Sequence, residues 1–194
     1  YNSFFLNHDY IRIATGRAGN VIGGGDWASS RIVPDCMKSW SKNQSAKLRN
    51  PFSTRPWQHV LEPLSGYLAL ASSLKISNSF HGEAFNFGPS SNHNYSVLDL
   101  VNCMANYWDK VKWIDTSNTA TNSKESGLLK LNCDKALHYL KWSPVWEFED
   151  TVKATVEWYK CYYEQPGELI FDITKNQIYK YTKEAEKHNL LWTK

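Results

Sequence analysis

The segment Arg17-Ala18-Gly19-Asn20-Val21-Ile22-Gly23-Gly24-Gly25-Asp26-Trp27 constrains this chain more than any other. The β-type run Ile11 to Thr15 leads into it, and Ile32-Val33-Pro34-Asp35-Cys36-Met37 opens like a helix after it. A strand that ends in a glycine-rich turn before a helix is where open α/β sheets hold ligands. Three consecutive glycines allow positive φ and let a ligand approach the backbone closely. Asn20, at the lip of the turn, offers one acceptor and two donors. The spacing is not the dinucleotide G-x-G-x-x-G, and no acidic residue follows a second strand about twenty residues later, so a phosphate cradle is the weaker reading.

A chain of 194 residues suits one domain, or one domain and part of another. The residues are 42% hydrophobic, yet no apolar run is long enough to span a bilayer. The net charge of +3 is small and its Lys and Arg are scattered, which argues against a nucleic-acid partner. Cys36, Cys103, Cys133 and Cys161 are far apart and form no C-x-x-C pair. That pattern suits free thiols in a cytoplasmic protein better than a metal site or a disulfide scaffold. The start, Tyr1-Asn2-Ser3-Phe4-Phe5, is no signal peptide and reads like the end of a helix.

Apolar or aromatic residues at 32, 33, 36, 37 and 40 predict a helix from Ile32 to Lys42. Short extended pieces follow at Lys47-Leu48-Arg49 and from Trp57 to Val60. A buried helix is expected from Leu61 to Leu74, with Pro63 tolerated in its first turn. Ala84 to Phe87 alternates as a strand, and Ser96 with Asp99 three residues on caps a helix that reaches Trp108. Val111 to Asp115 and Leu128 to Leu131 read as extended, with the polar loop Thr116 to Gly127 between them. Helices are expected from Asp134 to Leu140 and from Phe148 to Tyr163, then a surface helix in the tail. Strands alternating with helices indicate an α/β fold, and strands this short suggest a small mixed lobe rather than a complete doubly wound sheet.

The run Arg49 to His59 is the second dense cluster. Its Arg forks and aromatic rings suit a diphosphate and a flat base, and equally suit a surface loop paired with carboxylates. His59 is placed as a packed histidine ahead of a general base. Asn86, at the end of a strand, either meets a ligand or forms a turn before Gly88-Pro89. Nine Trp and eleven Tyr serve mainly as core, and Lys124-Glu125 falls in a solvated loop by default.

In order and spacing, Arg17 to Trp27, Arg31-Ile32-Val33-Pro34-Asp35, Arg49-Asn50-Pro51, Arg55 to Tyr67, Phe85 to Pro89, Leu129 to Leu131 and Trp142-Ser143-Pro144 resemble the CDP-glucose 4,6-dehydratase family. That family belongs to the extended short-chain dehydrogenase/reductases acting on nucleotide sugars, and the likeness runs from about Tyr1 to Tyr163. The resemblance implies the carboxy-terminal part of such an enzyme, with the last Rossmann strands and a small mixed α/β substrate lobe. Residues 1–30 would end the NAD-binding Rossmann domain, 31–163 would form mainly the nucleotide-sugar domain, and 164–194 a helical tail. The implied reaction moves a hydride from C4 of the glucose of CDP-glucose to NAD, loses water across C5 and C6, and returns the hydride to C6. Its product serves dideoxysugar synthesis for surface polysaccharide.

By motif, the resemblance puts Asn20 on the sugar diphosphate and the Ala18-Gly19 backbone near the nicotinamide. It puts Arg31 and Ile32 at the nucleotide, Lys47 to Arg49 at the base or ribose, Arg55 on phosphate and Asn86 on the nucleotide. The family's NAD fingerprint and the Tyr-x-x-x-Lys pair of its catalytic helix, which would precede Tyr1, are expected to have no counterpart in this chain. Lys124-Glu125 stands where the family tends to have His-Glu, and Asn132 where it tends to have Asp. The expectation is therefore a fragment, inactive alone and a homo-oligomer when whole. The alternatives are a non-catalytic nucleotide-sugar-binding remnant and a related epimerase or dehydratase.

Overall fold

A computed structural model describes residues 11–119, 127–165, 167 and 169–194. The strands are β1 (Thr15–Ala18), β2 (Val21–Ile22), β3 (Ala46–Leu48), β4 (Thr54–Arg55), β5 (Gln58–His59), β6 (Ala84–Phe87), β7 (Tyr95–Ser96) and β8 (Trp113–Asp115). The α-helices are α1 (Ile32–Ser41), α2 (Leu61–Ile76), α3 (Val97–Ala105), α4 (Asp134–Leu140), α5 (Phe148–Glu164) and α6 (Leu169–Lys187). Strands pair two by two: β1 with β6, β2 with β5 and β3 with β8 in parallel, and β4 with β7 antiparallel.

The first strand differs from its expected place. It runs from Thr15 to Ala18, not from Ile11 to Thr15, because its position is set by register against a distant partner. Thr15 faces Ala84 and Ala18 faces Phe87, so the strand extends into the Arg17-Ala18 motif itself. Local signals served the helices better. Ser96 Oγ accepts from Asp99 N while Asp99 Oδ2 accepts from Ser96 N, a closed capping box. That helix stops at Ala105, short of Trp108. Pro63 lies in the first turn of α2, where its missing N–H leaves no bond unmade.

Two apolar cores lie on either side of α5. Val152, Val156 and Tyr159 join Met37 and Trp40 of α1 and Leu100 and Met104 of α3 in the first. Ala154 belongs to the second, with Phe85 and Phe87 of β6, Leu70 of α2 and Trp142. The carboxy-terminal helix is docked: Tyr181 and Ala185 of α6 and the following Leu190 are buried in this second core. Among the described residues no helix is long and apolar enough to cross a membrane.

Candidate functional site

A cleft of about 1120 Å³ opens where β1 and β2 end, bounded by the start of α1 and by β3. Ala18, Gly19, Asn20, Arg31, Ile32, Lys47, Arg49 and Arg55 all line it. These come from four separate stretches of sequence, so the fold gathers what the motifs only suggested. Asn86 is not among the lining residues. Its Nδ2 donates to the carbonyl of Asn132 (2.9 Å), bracing the end of β6 against the segment before α4. Asn132 in turn accepts from Asp134 N through Oδ1 (3.0 Å).

The cationic groups sit at different depths. Arg55 on β4 is buried and donates through Nη1 to Thr54 O (2.8 Å). Lys47 on β3 and Arg49 just beyond it are exposed, because alternation along the strand turns Ala46 and Leu48 into the core. Arg31 precedes α1 and pairs with Asp26 at 3.0 Å. Gln58 fixes the inner end: its buried Nε2 donates to the carbonyls of Gly19 and Phe87, both at 2.9 Å. One side chain thus ties the turn after β1 to the end of β6.

The glycine triad serves packing more than ligand approach. A Cβ on Gly24 would lie 2.1 Å from ring atoms of Trp158 on α5, so the indole of α5 takes the space expected for a ligand. Gly25 has φ of +80°, and of the three only Gly23 lines the cleft. Trp27 continues this contact, its ring set among those of Trp158, Tyr159, Tyr162 and Tyr163.

His59 is buried in the packed role. Its Nδ1 accepts from Leu61 N (3.3 Å), its ring lies 4.8 Å from that of Trp146, and burial lowers its pKa to about 4. Glu62 was not singled out by sequence. This buried carboxylate accepts from Val145 N, Trp146 N and the Tyr181 hydroxyl. Burial raises its pKa to about 7 against the opposing pull of those bonds. An acidic residue in the first turn of an otherwise apolar helix was the available signal. Asp26 was also missed as a cleft residue.

The family's Tyr-x-x-x-Lys spacing does occur once downstream, at Tyr179 and Lys183 of α6. Tyr179 is exposed, Lys183 is paired with Glu186 at 2.8 Å, and neither lines the cleft. Spacing alone makes no catalytic pair there. Tyr1 to Phe5 and Lys124-Glu125 lie outside the described residues. Cys36, Cys103, Cys133 and Cys161 are free, and no group of three or more potential metal ligands occurs among the described residues.

Parallel strand pairs with helices between them, and a polar cleft beyond the strand ends, belong to the extended short-chain dehydrogenase/reductase architecture. UDP-glucuronic acid 4-epimerase from Bacillus cereus, solved with UDP-glucuronic acid and NAD, superposes with a TM-score of 0.65 at 17% identity. That match covers 82% of this chain and 48% of the other. dTDP-glucose 4,6-dehydratase from Bacillus anthracis, solved with NAD, gives 0.61 at 16% identity, covering 84% and 49%. The fold is that of the carboxy-terminal part of an extended short-chain dehydrogenase/reductase.

In sequence the chain is similar to CDP-glucose 4,6-dehydratase from Salmonella typhimurium, 41% identical over 186 residues. The match covers 93% of this chain, which reaches past Tyr163 into the tail. The chain spans about half the length of this curated relative, 50%. No family model matches the chain.

Proposed function

We propose that the chain supplies the nucleotide-sugar side of an NAD-dependent CDP-glucose 4,6-dehydratase, a cytoplasmic lyase that forms CDP-4-keto-6-deoxy-D-glucose for surface-polysaccharide dideoxysugars. The observation that carries this is the convergence of Asn20, Arg31, Lys47, Arg49 and Arg55 on one cleft in a chain 41% identical to that enzyme. In this reading the guanidinium of Arg55 and the amide of Asn20 hold the diphosphate, since a fork of N–H donors matches phosphate oxygens. Lys47 and Arg49 flank base or ribose from the β3 side, and Arg31 and Ile32 close the nucleotide end.

Ala18 and Gly19 fit the edge of a nicotinamide. They lie at the carboxyl end of β1, carry a methyl group and no side chain, and line the cleft. When bound, NAD supplies the redox couple that this dehydration needs. The chain by itself orients the nucleotide sugar and turns nothing over, and the whole enzyme is a homo-oligomer.

Calorimetry on the 194-residue chain tests the reading. The expected result is submillimolar binding of CDP and CDP-glucose, with dTDP- and GDP-glucose weaker. No binding, or a preference for another nucleotide, overturns it. Turnover of CDP-glucose by the chain alone overturns the division of labour.

A further inference from the structure

The cleft gathers cations, yet Asp26 stands on its rim beside Arg31. A carboxylate there repels an anionic ligand unless it does something else. Its surroundings show what it does. Asp26 Oδ1 accepts from Ala28 N (3.0 Å), and Oδ2 accepts from Arg31 Nη1 (3.0 Å). Its carbonyl accepts from the Tyr159 hydroxyl of α5 (2.6 Å). The next carbonyl, that of Trp27, accepts from Lys38 Nζ of α1 (2.9 Å), and the Trp27 ring lies 4.7 Å from that of Tyr162. Gly24 presses on Trp158 at the other end of the same loop. The rim loop is therefore clamped between α1 and α5, and Asp26 is the point at which that clamp reaches an exposed cation.

We propose that Asp26 is a positioning residue of the nucleotide site, fixing the Arg31 guanidinium in the orientation that receives the anionic ligand. The inference rests on the nucleotide reading above. The Arg31 side chain is 65% exposed and that of Asp26 31%. An ion pair so open to water adds little to folding, and the role assigned to it here is in binding. One of the five N–H donors of Arg31 meets Asp26, which leaves the rest of the fork for a ligand. Holding a rotamer-rich side chain in place before the ligand arrives removes part of the ordering cost of association.

A double-mutant cycle with Asp26→Asn and Arg31→Gln, read by calorimetry with CDP, tests this. Asp26→Asn is expected to weaken CDP binding about three- to tenfold. In the Arg31→Gln background the same change produces no further weakening, since only the repulsion is left to relieve. Tighter or unchanged binding by Asp26→Asn overturns the inference, because repulsion then outweighs positioning. Equal weakening in both backgrounds overturns it too, because Asp26 then acts without Arg31. Absence of CDP binding by the unaltered chain defeats the proposed function and this inference together, whereas the other two outcomes defeat this inference alone.

Discussion

Glu62 gives the sharpest test of how this fold is held. Its carboxylate joins three parts of the chain: α2, which carries it, the segment at Val145-Trp146, and Tyr181 of α6. Its pKa rises from 4.5 to about 7 on folding, with burial as the main cause. A folded-state pKa above the unfolded value means that the native state binds the proton more tightly. The contribution is fully present below pH 4.5 and is lost as pH rises through 7. At 1.36 kcal/mol per unit, the native chain loses about 2–3 kcal/mol from this group between pH 5 and pH 8. His59 works in the opposite sense. Its pKa is lowered from 6.5 to about 4, so its contribution is present above pH 6.5 and falls away in acid. The whole-chain stability profile mixes the two.

Glu62→Gln removes the titration while keeping an acceptor oxygen for part of the network, so the difference between wild type and variant isolates Glu62. Thermal unfolding at several pH values, followed by circular dichroism, gives that difference. The wild type's advantage is expected to shrink by about 5–10 °C in Tm between pH 5 and pH 8, at about 2–4 °C per kcal/mol for a chain of this size. A gap that stays constant across that range refutes the reasoning. Glu62→Ala is expected to be worse at every pH. It strands two backbone N–H groups and a phenol, at about 1–3 kcal/mol each.

Gly24→Ala drives a methyl into the Trp158 indole and should destabilise the chain by about 1–3 kcal/mol, recovered in part by adding Trp158→Leu; an unchanged Tm would show that the contact is slack. Arg55→Lys keeps the charge and loses the planar fork, so CDP should bind about tenfold more weakly by calorimetry, and equal affinity would remove Arg55 from the phosphate site. Cys36 is buried and its thiol is pushed up to about 12, so Ellman's reagent at pH 8 should leave it untouched until the chain unfolds. Rapid native labelling at Cys36, identified by mass spectrometry, would contradict that burial.

Helices were legible where their signals are local. The Ser96-Asp99 box and the Asp134 to Leu140 helix appear where sequence placed them. The cleft was legible because its residues sit in long motifs, and the fold had only to bring those motifs together. What escaped depended on partners far away in the chain. The β1 register is set by Phe85 to Phe87, and the room beside Gly24 is filled by Trp158. Nothing near residue 24 announces an indole on α5. The amide of Asn86 likewise donates to the carbonyl of Asn132, a partner 46 residues away that nothing beside Asn86 announces. Glu62 reads as an ordinary first-turn acid until Val145, Trp146 and Tyr181 close around it.

The two-by-two pairing of strands also bears on how the chain acquires its structure. Among the described strands there is no hairpin: Thr15 waits for Ala84, Ala46 for Trp113 and Thr54 for Ser96. Closing such loops is entropically slow, whereas α2 and α5 satisfy their backbones within themselves. Helices are therefore expected to form early in refolding and the strand pairs late. In that interval the strands carry open edges that any neighbouring chain can pair with. On that order the cleft takes shape last, since its walls begin where those late pairs end.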